Sequence, residues 1–370
     1  MKITLTTRPL QYAQSKKIDK YIEIVGSSNP RLNAMATDAS LSLQSVLGKH
    51  YSRVGITLVD NITDLELLAA KKPDLVILGM KLVLLDPSKS YDESPKVWLS
   101  DYLTERGINF TGSDTAALTL EFDKPVAKQA VIDAGLESSA YFISSINHPV
   151  FKHSLRFPLF VKPSNRGDSK GIDENSVVHT QEALEAKILS IHNDYSSDAI
   201  AEEYLPGREF SVAVIKHPRL EKFLAMPIEI TSPTDKNGNN FLSESVKESD
   251  SEKVMPVTDA KLKKELNDLA VSVFKALGSR DYGRIDLRLN TSGAPSFIEA
   301  NLMPGLSNHG YLLRCFYMNE KIGYESMILS IVSLALERAS STLLARIPTV
   351  PSVGFKEIVA PELIGTGLVI

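Results

Sequence analysis

A chain of 370 residues has material for two or three domains with substantial cores. A net charge of -4 at pH 7 and a pI near 6.0 exclude a general electrostatic footprint for nucleic acid or an anionic membrane. A single cysteine, Cys315, excludes an intrachain disulfide and fits a reducing compartment. The opening Met1 to Pro9 lacks the apolar run of a signal peptide, and no stretch approaches the roughly 20 apolar residues that span a bilayer. The expectation is a cytoplasmic protein with neither membrane nor nucleic acid as partner.

In chain order, Lys2 to Thr6 reads as a strand, while 7–32 resists assignment. Asn33 to Gly48 reads as a helix, Val54 to Val59 as a strand, Asp64 to Ala70 as a helix and Asp74 to Leu78 as an apolar strand. A helix over Lys96 to Arg106 ends at Gly107. This alternation predicts a parallel sheet with crossover helices.

A second unit starts near Gly112. Asp123 is placed to cap a helix with Pro125 in its first turn, and Val126, Ala130 and Ala134 form its apolar row before Gly135. The strand Leu159 to Lys162 runs into Pro163 to Gly171, a loop with two glycines, cations and hydroxyls within reach of an anion; an ordinary surface connection is the alternative. Ala199 to Glu203 is the next strand. In the last unit Glu209 to Ile215 is a strand, and Thr258 is expected to cap a helix whose Leu262, Leu266, Leu269, Val273 and Leu277 face the core before Gly278. The polar segment Thr231 to Val254 is too long for a simple connector and reads as a lid, a substrate loop or a disordered stretch. Met327 to Leu336 reads as a buried helix.

The most informative feature lies between the capped helix and the C-terminus. Gly283-Arg284-Ile285-Asp286, a short turn and Phe297-Ile298-Glu299-Ala300-Asn301 form a hairpin; alternation puts Arg284, Asp286 and Arg288 on one face. A turn centred on Ser292-Gly293 sets Asp286 opposite Glu299 and Arg284 opposite Asn301. Two carboxylates and an amide oxygen about 5 Å apart at Cβ repel unless a cation fills the gap, and all-oxygen ligands suit magnesium. The alternative is a solvated charged face.

Taken together, Asp123-Lys124, Phe160-Val161-Lys162-Pro163, the Gly167 to Gly171 loop, Glu202-Glu203-Tyr204-Leu205-Pro206-Gly207-Arg208-Glu209-Phe210, the metal hairpin and Pro304-Gly305 resemble an ATP-grasp enzyme, and more narrowly the D-alanine:D-alanine ligases. The likeness covers roughly residues 107–312. It implies an α/β (α+β) three-domain fold: an N-terminal parallel-sheet pre-ATP-grasp domain (1–112), a central ATP-grasp subdomain (113–203), a C-terminal subdomain carrying the hairpin (204–346), and a tail (347–370). It implies ATP and two magnesium ions, which manganese can replace. Lys124 and Lys162 would meet the phosphates beneath the Gly167, Ser169 and Gly171 backbone. Phe160, Glu202, Glu203 and Leu205 would receive adenine, with Glu202 accepting from its amino group, and Glu209 would hold the ribose. Asp286, Glu299 and Asn301 would hold the metals, while Arg284, the Gly305 N–H and Ser169 would stabilise developing charge. Solvated surface lysines, an exposed acidic pair and an Arg284–Asp286 salt bridge are the corresponding ordinary readings. The chemistry implied is amide or peptide bond formation from a carboxylate and an amine through an acyl phosphate; homodimers are common in the family.

The departures fall on substrate contacts. Where the family carries a loop with the glutamate that receives an ammonium, this chain reads Leu78-Gly79-Met80-Lys81-Leu82-Val83-Leu84-Leu85-Asp86. Asp168 stands for a serine, Phe241 for a tyrosine and Gly310 for another serine beside a retained His309, and Lys170 adds a cation. The expectation is an amide ligase for amino-acid-like substrates other than D-alanine. A nucleotide-binding regulator without turnover, a phosphotransferase and a genuine D-alanine ligase are the rivals.

Overall fold

The computed structural model describes residues 16–345, apart from 31, 87–88, 90–93, 168, 218–221, 236–237 and 250. The expected strand at Lys2 to Thr6, the tail from 347, and Asp168 therefore lie outside the described residues.

The first unit contains β1 (Ile18–Gly26), α1 (Thr37–His50), β2 (Tyr51–Leu58), α2 (Ile62–Ala70) and β3 (Leu75–Leu78). Its sheet is parallel, in the order β2-β1-β3. The central strand β1 falls in the segment that sequence patterning left unassigned. Its Ile18 is exposed and Asp19 and Lys20 lie outside the core, yet Glu23 is fully buried. That burial is tolerated because Lys71 Nζ lies 2.7 Å from Glu23 Oε1 and Thr57 donates a short hydrogen bond to the same oxygen. The antiparallel pair β4 (Leu82–Leu84) and β5 (Lys96–Trp98) follows, then α3 (Leu99–Glu105). The helix expected from Lys96 thus begins three residues later, after a strand.

The second unit comprises α4 (Thr115–Phe122), α5 (Lys124–Asp133), β6 (Tyr141–Ser144), β7 (Leu159–Pro163), β8 (Val177–Val178), α6 (Gln181–Tyr195) and β9 (Ala199–Glu203). Its four strands run in the order β6-β9-β7-β8, with α6 packed on them. Asp123 does cap α5, accepting from Val126 N at 3.1 Å. The buried face of α5 is not the expected row, however: Val126 and Ala134 are exposed, whereas Lys124, Ala127, Lys128 and Val131 are buried.

The third unit is an antiparallel sheet in the order β12-β11-β10-β13-β14, made of β10 (Glu209–Lys216), β11 (Phe223–Thr231), β12 (Lys253–Pro256), β13 (Tyr282–Leu289) and β14 (Pro295–Asn301). Between β11 and β12 lies α7 (Glu244–Glu248), and α8 (Ala260–Ala276) packs Leu262, Leu266, Ala270, Val273 and Phe274 beneath the sheet. The cap of α8 is Asp259 rather than Thr258; its carboxylate accepts from Leu262 N at 3.0 Å. After the hairpin come α9 (Tyr311–Glu320) and α10 (Tyr324–Ala345); Met327, Ile328, Ile331, Val332 and Ala335 of α10 are buried, as their pattern predicts. Arg338 of α10 donates to Asp281 and to Phe110 O, and Gly112 N donates to Asp281 Oδ2 at 3.1 Å, so one buried carboxylate ties the first unit to the root of the hairpin.

Candidate active site

The hairpin register is the predicted one where it matters: Arg284 pairs with Asn301 and Asp286 with Glu299. A bulge after Asp286 shifts the pairing toward the turn, so Leu287 faces Phe297. On its other edge β13 pairs with β10, placing Ser211 opposite Asp286 and Glu209 opposite Arg288. Each cross-strand neighbour becomes a contact. Ser211 Oγ donates to Asp286 Oδ1 at 2.5 Å, and Arg288 Nη1 meets Glu209 Oε2 at 3.1 Å. Arg284, two residues before Asp286 on the same face, reaches both of its carboxylate oxygens at 3.1 and 3.2 Å, and Asn301 Nδ2 donates to Oδ2 at 2.9 Å.

These strands form one wall of a cleft of about 750 Å³, open mouth included, which runs between the second and third units. At one end its lining is apolar and aromatic. Phe160 and Tyr204 lie nearly parallel with centroids 6.4 Å apart, Phe241 meets Phe160 edge-on at 5.5 Å, and Leu205, Ile172 and Ile298 complete the slot. Phe241, expected among substrate contacts, belongs to this aromatic wall. The segment 231–254 also contributes Leu242 and Lys247 to the lining.

At the floor, Glu202 holds two buried lysines: Lys162 Nζ is 2.7 Å from Oε1, and Lys128 Nζ is 2.7 Å from Oε2, which also accepts from Ser139 Oγ at 2.9 Å. Burial alone would raise this carboxyl, but Lys128 and Lys162 prevail and hold it at about 2. Burial pulls Lys124 down in turn, as it does Lys128; Lys162 rises against burial because Glu202 and Glu299 face it. Across the cleft, burial pushes Glu209 up, and the neighbouring Asp286 and Glu299 add to that push despite Arg288. Glu299 goes the other way, because Lys124, Lys162, Lys247 and Arg284 outweigh its burial.

The carboxylates Glu209, Asp286 and Glu299 thus converge on one wall. This hard-oxygen set, with Asn301 beside Asp286, fits a divalent cation such as magnesium. Among the described residues no group of three or more His, Cys, Asp or Glu forms a cage, so phosphate oxygens or water would have to complete the coordination.

The cleft brings together Phe160, Lys162, Ser169, Glu202, Glu203, Leu205, Glu209, Phe241, Arg284, Asp286 and Glu299. Lys124 and Asn301 stand just behind it, Lys124 donating to Arg166 O in the 163–171 loop. Ser169 is left-handed at φ 58° and Gly171 at φ 77°; Lys187 of α6 anchors the loop through Gly171 O at 3.0 Å. Gly167 and Lys170 are exposed on that loop. Gly305, His309 and Gly310 do not line the cleft: Gly305 is exposed next to the Ala34 carbonyl of the first unit, His309 is exposed, and Gly310 precedes α9. Sequence reading missed Lys128, Ser139, Lys247 and Tyr311, and gave Arg288 a face without a role. Only for Lys128 was there a signal, its spacing of four from Lys124.

The D-ala D-ala ligase C-terminus family matches residues 137–333, just over half of the chain. The chain belongs to that family. It is an ATP-grasp ligase, and its relatives span known and unknown functions. An uncharacterized protein, y4sG, of Sinorhizobium fredii is 32% identical over 237 residues, 63% of this chain and 68% of that protein. The D-alanine–D-alanine ligase of Hydrogenovibrio crunogenus is 29% identical over 237 residues, 63% of this chain and 72% of the relative. In three dimensions the D-alanine–D-alanine ligase from Bacillus anthracis complexed with ATP superposes with a TM-score of 0.63 over 87% of this chain and 99% of that one, at 20% identity, which speaks for the fold. Among the described residues no helix is long and apolar enough to cross a membrane.

Proposed function

We propose that this family member joins a carboxylate to an amine at the expense of ATP, with magnesium held by Asp286, Glu299 and Asn301, and that its acid and amine substrates are amino-acid-like but not a pair of D-alanines. The observation that carries the reading is that one cleft is lined by Arg284, Asp286 and Glu299 on one wall, by the Lys162–Glu202 pair at its floor and by the Phe160–Tyr204 slot. When bound, magnesium nucleotide supplies the phosphoryl group that makes a carboxylate an acyl donor and screens the repulsion between two anions.

The chain's own residues do the rest. Phe160, Tyr204 and Phe241 offer a flat apolar berth for a base, and Glu209, fixed by Arg288, faces the adjoining sugar position. Lys162 and Lys124 neutralise phosphate charge as compact cations. Arg284 keeps its proton under all ordinary conditions because Asp286 braces it, and so stands as a fixed positive charge where negative charge develops. The 163–171 loop covers the phosphates and limits water, which would otherwise intercept an activated acid.

The proposal of other substrates rests on the first unit. Where the family's substrate-binding glutamate loop would run, Leu82 and Val83 are buried in β4, and Lys81 Nζ is 2.7 Å from Glu121 Oε1. Glu121 is itself spent on Leu302 N and Met303 N at 3.0 and 3.1 Å. Among the described residues from Leu78 to Leu85 there is no carboxylate to receive a substrate ammonium, and the nearby Glu121 is already engaged.

Phosphate release from Mg-ATP, measured over single and paired L- and D-amino acids and small acids, tests the reading. Release that needs an acid and an amine together, is weak with D-alanine alone, and disappears in Asp286→Asn is the expected outcome. Full turnover with D-alanine as the sole substrate contradicts the altered specificity; ATP binding with no turnover over the panel contradicts the ligase.

A further inference from the structure

Two lysines meet one buried carboxylate, and the two are not equivalent. Lys162 lines the cleft, where an anion can draw it away from Glu202 Oε1. Lys128 is fully buried and all of its contacts are internal: Glu202 Oε2 at 2.7 Å, Ser139 Oγ at 2.9 Å, Ser138 Oγ at 3.2 Å and Phe297 O at 3.3 Å. Phe297 lies two residues before Glu299 on β14, and its N–H donates to Glu137 O at 2.9 Å, so Lys128 sits where the second unit's α5, β9 and 137–139 segment meet the metal hairpin.

We infer that Lys128 is a positioning residue for nucleobase selection, holding Glu202 as an oriented hydrogen-bond acceptor while Lys162 leaves it for the nucleotide phosphates. The inference rests on the proposed nucleotide site. A buried carboxylate left with no cation beside it, as Glu202 would be without Lys128 once Lys162 moves, either takes up a proton or turns away, and both destroy the acceptor. With Lys128 and Ser139 fixing Oε2, Oε1 becomes free as Lys162 moves, and remains a pure acceptor. An acceptor-only group favours a base carrying an exocyclic amino group over one carrying a carbonyl at that position.

The experiment compares affinities for Mg-ATP and Mg-inosine triphosphate, which has a carbonyl in place of the adenine amino group, in the full chain, in Lys128→Met and in Ser139→Ala. The unaltered protein should prefer ATP by about tenfold or more, the range of a buried hydrogen bond to a charged group. Lys128→Met should bring the ratio to within about threefold by weakening ATP alone, as loss of that hydrogen bond implies. Ser139→Ala should lower it in the same direction by less. A general loosening of the site would weaken both nucleotides equally, and an unchanged ratio in Lys128→Met overturns the inference. Should Lys128→Met fail to fold, an unchanged ratio in Ser139→Ala overturns it instead. Equal affinity for the two triphosphates in the unaltered protein also overturns it while leaving the ligase reading standing; binding of neither defeats the nucleotide site itself.

Discussion

The hairpin end of the cleft and the first unit's approach to it use charge in different ways. On β10, β13 and β14, Arg284, Asp286, Glu299, Glu209 and Arg288 come from directly opposed or alternate strand positions, and their charges are directed into a shared space. In the first unit the comparable charges are consumed by the fold: Lys81 by Glu121 of the second unit's α4, itself held by the backbone after the hairpin, and Glu23 by Lys71 and Thr57. Charges that line the cleft, even where paired as Arg284–Asp286 and Arg288–Glu209 are, can be met by a ligand, whereas a pair outside the lining, such as Lys81–Glu121, cannot. The difference assigns the proposed chemistry to the sheet and the proposed change of substrate to the first unit.

Substitutions can break this contrast. Arg284→Ala should lower kcat by about 10²–10³-fold for every productive substrate pair, the magnitude for losing one preorganised charge-stabilising group, with thermal denaturation reporting a folded protein; Ser211 and Asn301 still hold Asp286. Glu202→Leu should cost about 3–5 kcal/mol in chemical denaturation, because it strands two buried lysines. The same residue gives a pH signature. Its folded carboxyl lies at about 2, below the ordinary 4.5, so the pair stabilises fully above 4.5 and is lost as pH falls from there toward 2. Stability of Glu202→Gln should therefore be flatter with pH across that window than that of the unaltered protein.

Lys81→Met probes the other side of the contrast. Its expected cost is about 1–3 kcal/mol, with altered KM for the acid or amine and little change in nucleotide affinity; a loss confined to nucleotide binding would dissolve the contrast. Gly171→Ala comes next. At φ 77° a side chain is strained, and a Cβ would fall 2.7 Å from the Pro163 ring, so the protein should lose about 1–2 kcal/mol of stability. The smallest effect concerns α8: Asp259→Ala should cost about 1 kcal/mol, whereas Thr258→Ala should stay within about 0.5 kcal/mol, both read from denaturation midpoints.

The legible parts of the molecule were those where one strong periodicity ran uninterrupted. The hairpin could be registered to the residue because alternation and a Ser292-Gly293 turn agree, and only the bulge escaped. Asp123 was legible as a cap, but the buried face of α5 was not, because its Lys124 and Lys128 invert the usual rule that lysines face water. β1 was hidden for the same reason: a fully buried glutamate, preceded by Asp19 and Lys20, makes the middle strand of a sheet look like polar loop. Buried, paired charge is a property of distant partners such as Lys71 and Glu202, and no local pattern reports it. The contact of Phe241 with Phe160 was not legible either, because the two lie on different units.

The measurement that bears most directly on the central claim is isotope transfer. Once the panel names an acid, that acid is supplied with ¹⁸O in its carboxylate, and the inorganic phosphate released during amide synthesis is weighed. A ligase working through an activated acyl phosphate passes one ¹⁸O from acid to phosphate in each turnover. Phosphate whose fourth oxygen comes from water and none from the acid, at full rate of nucleotide consumption, would contradict the account.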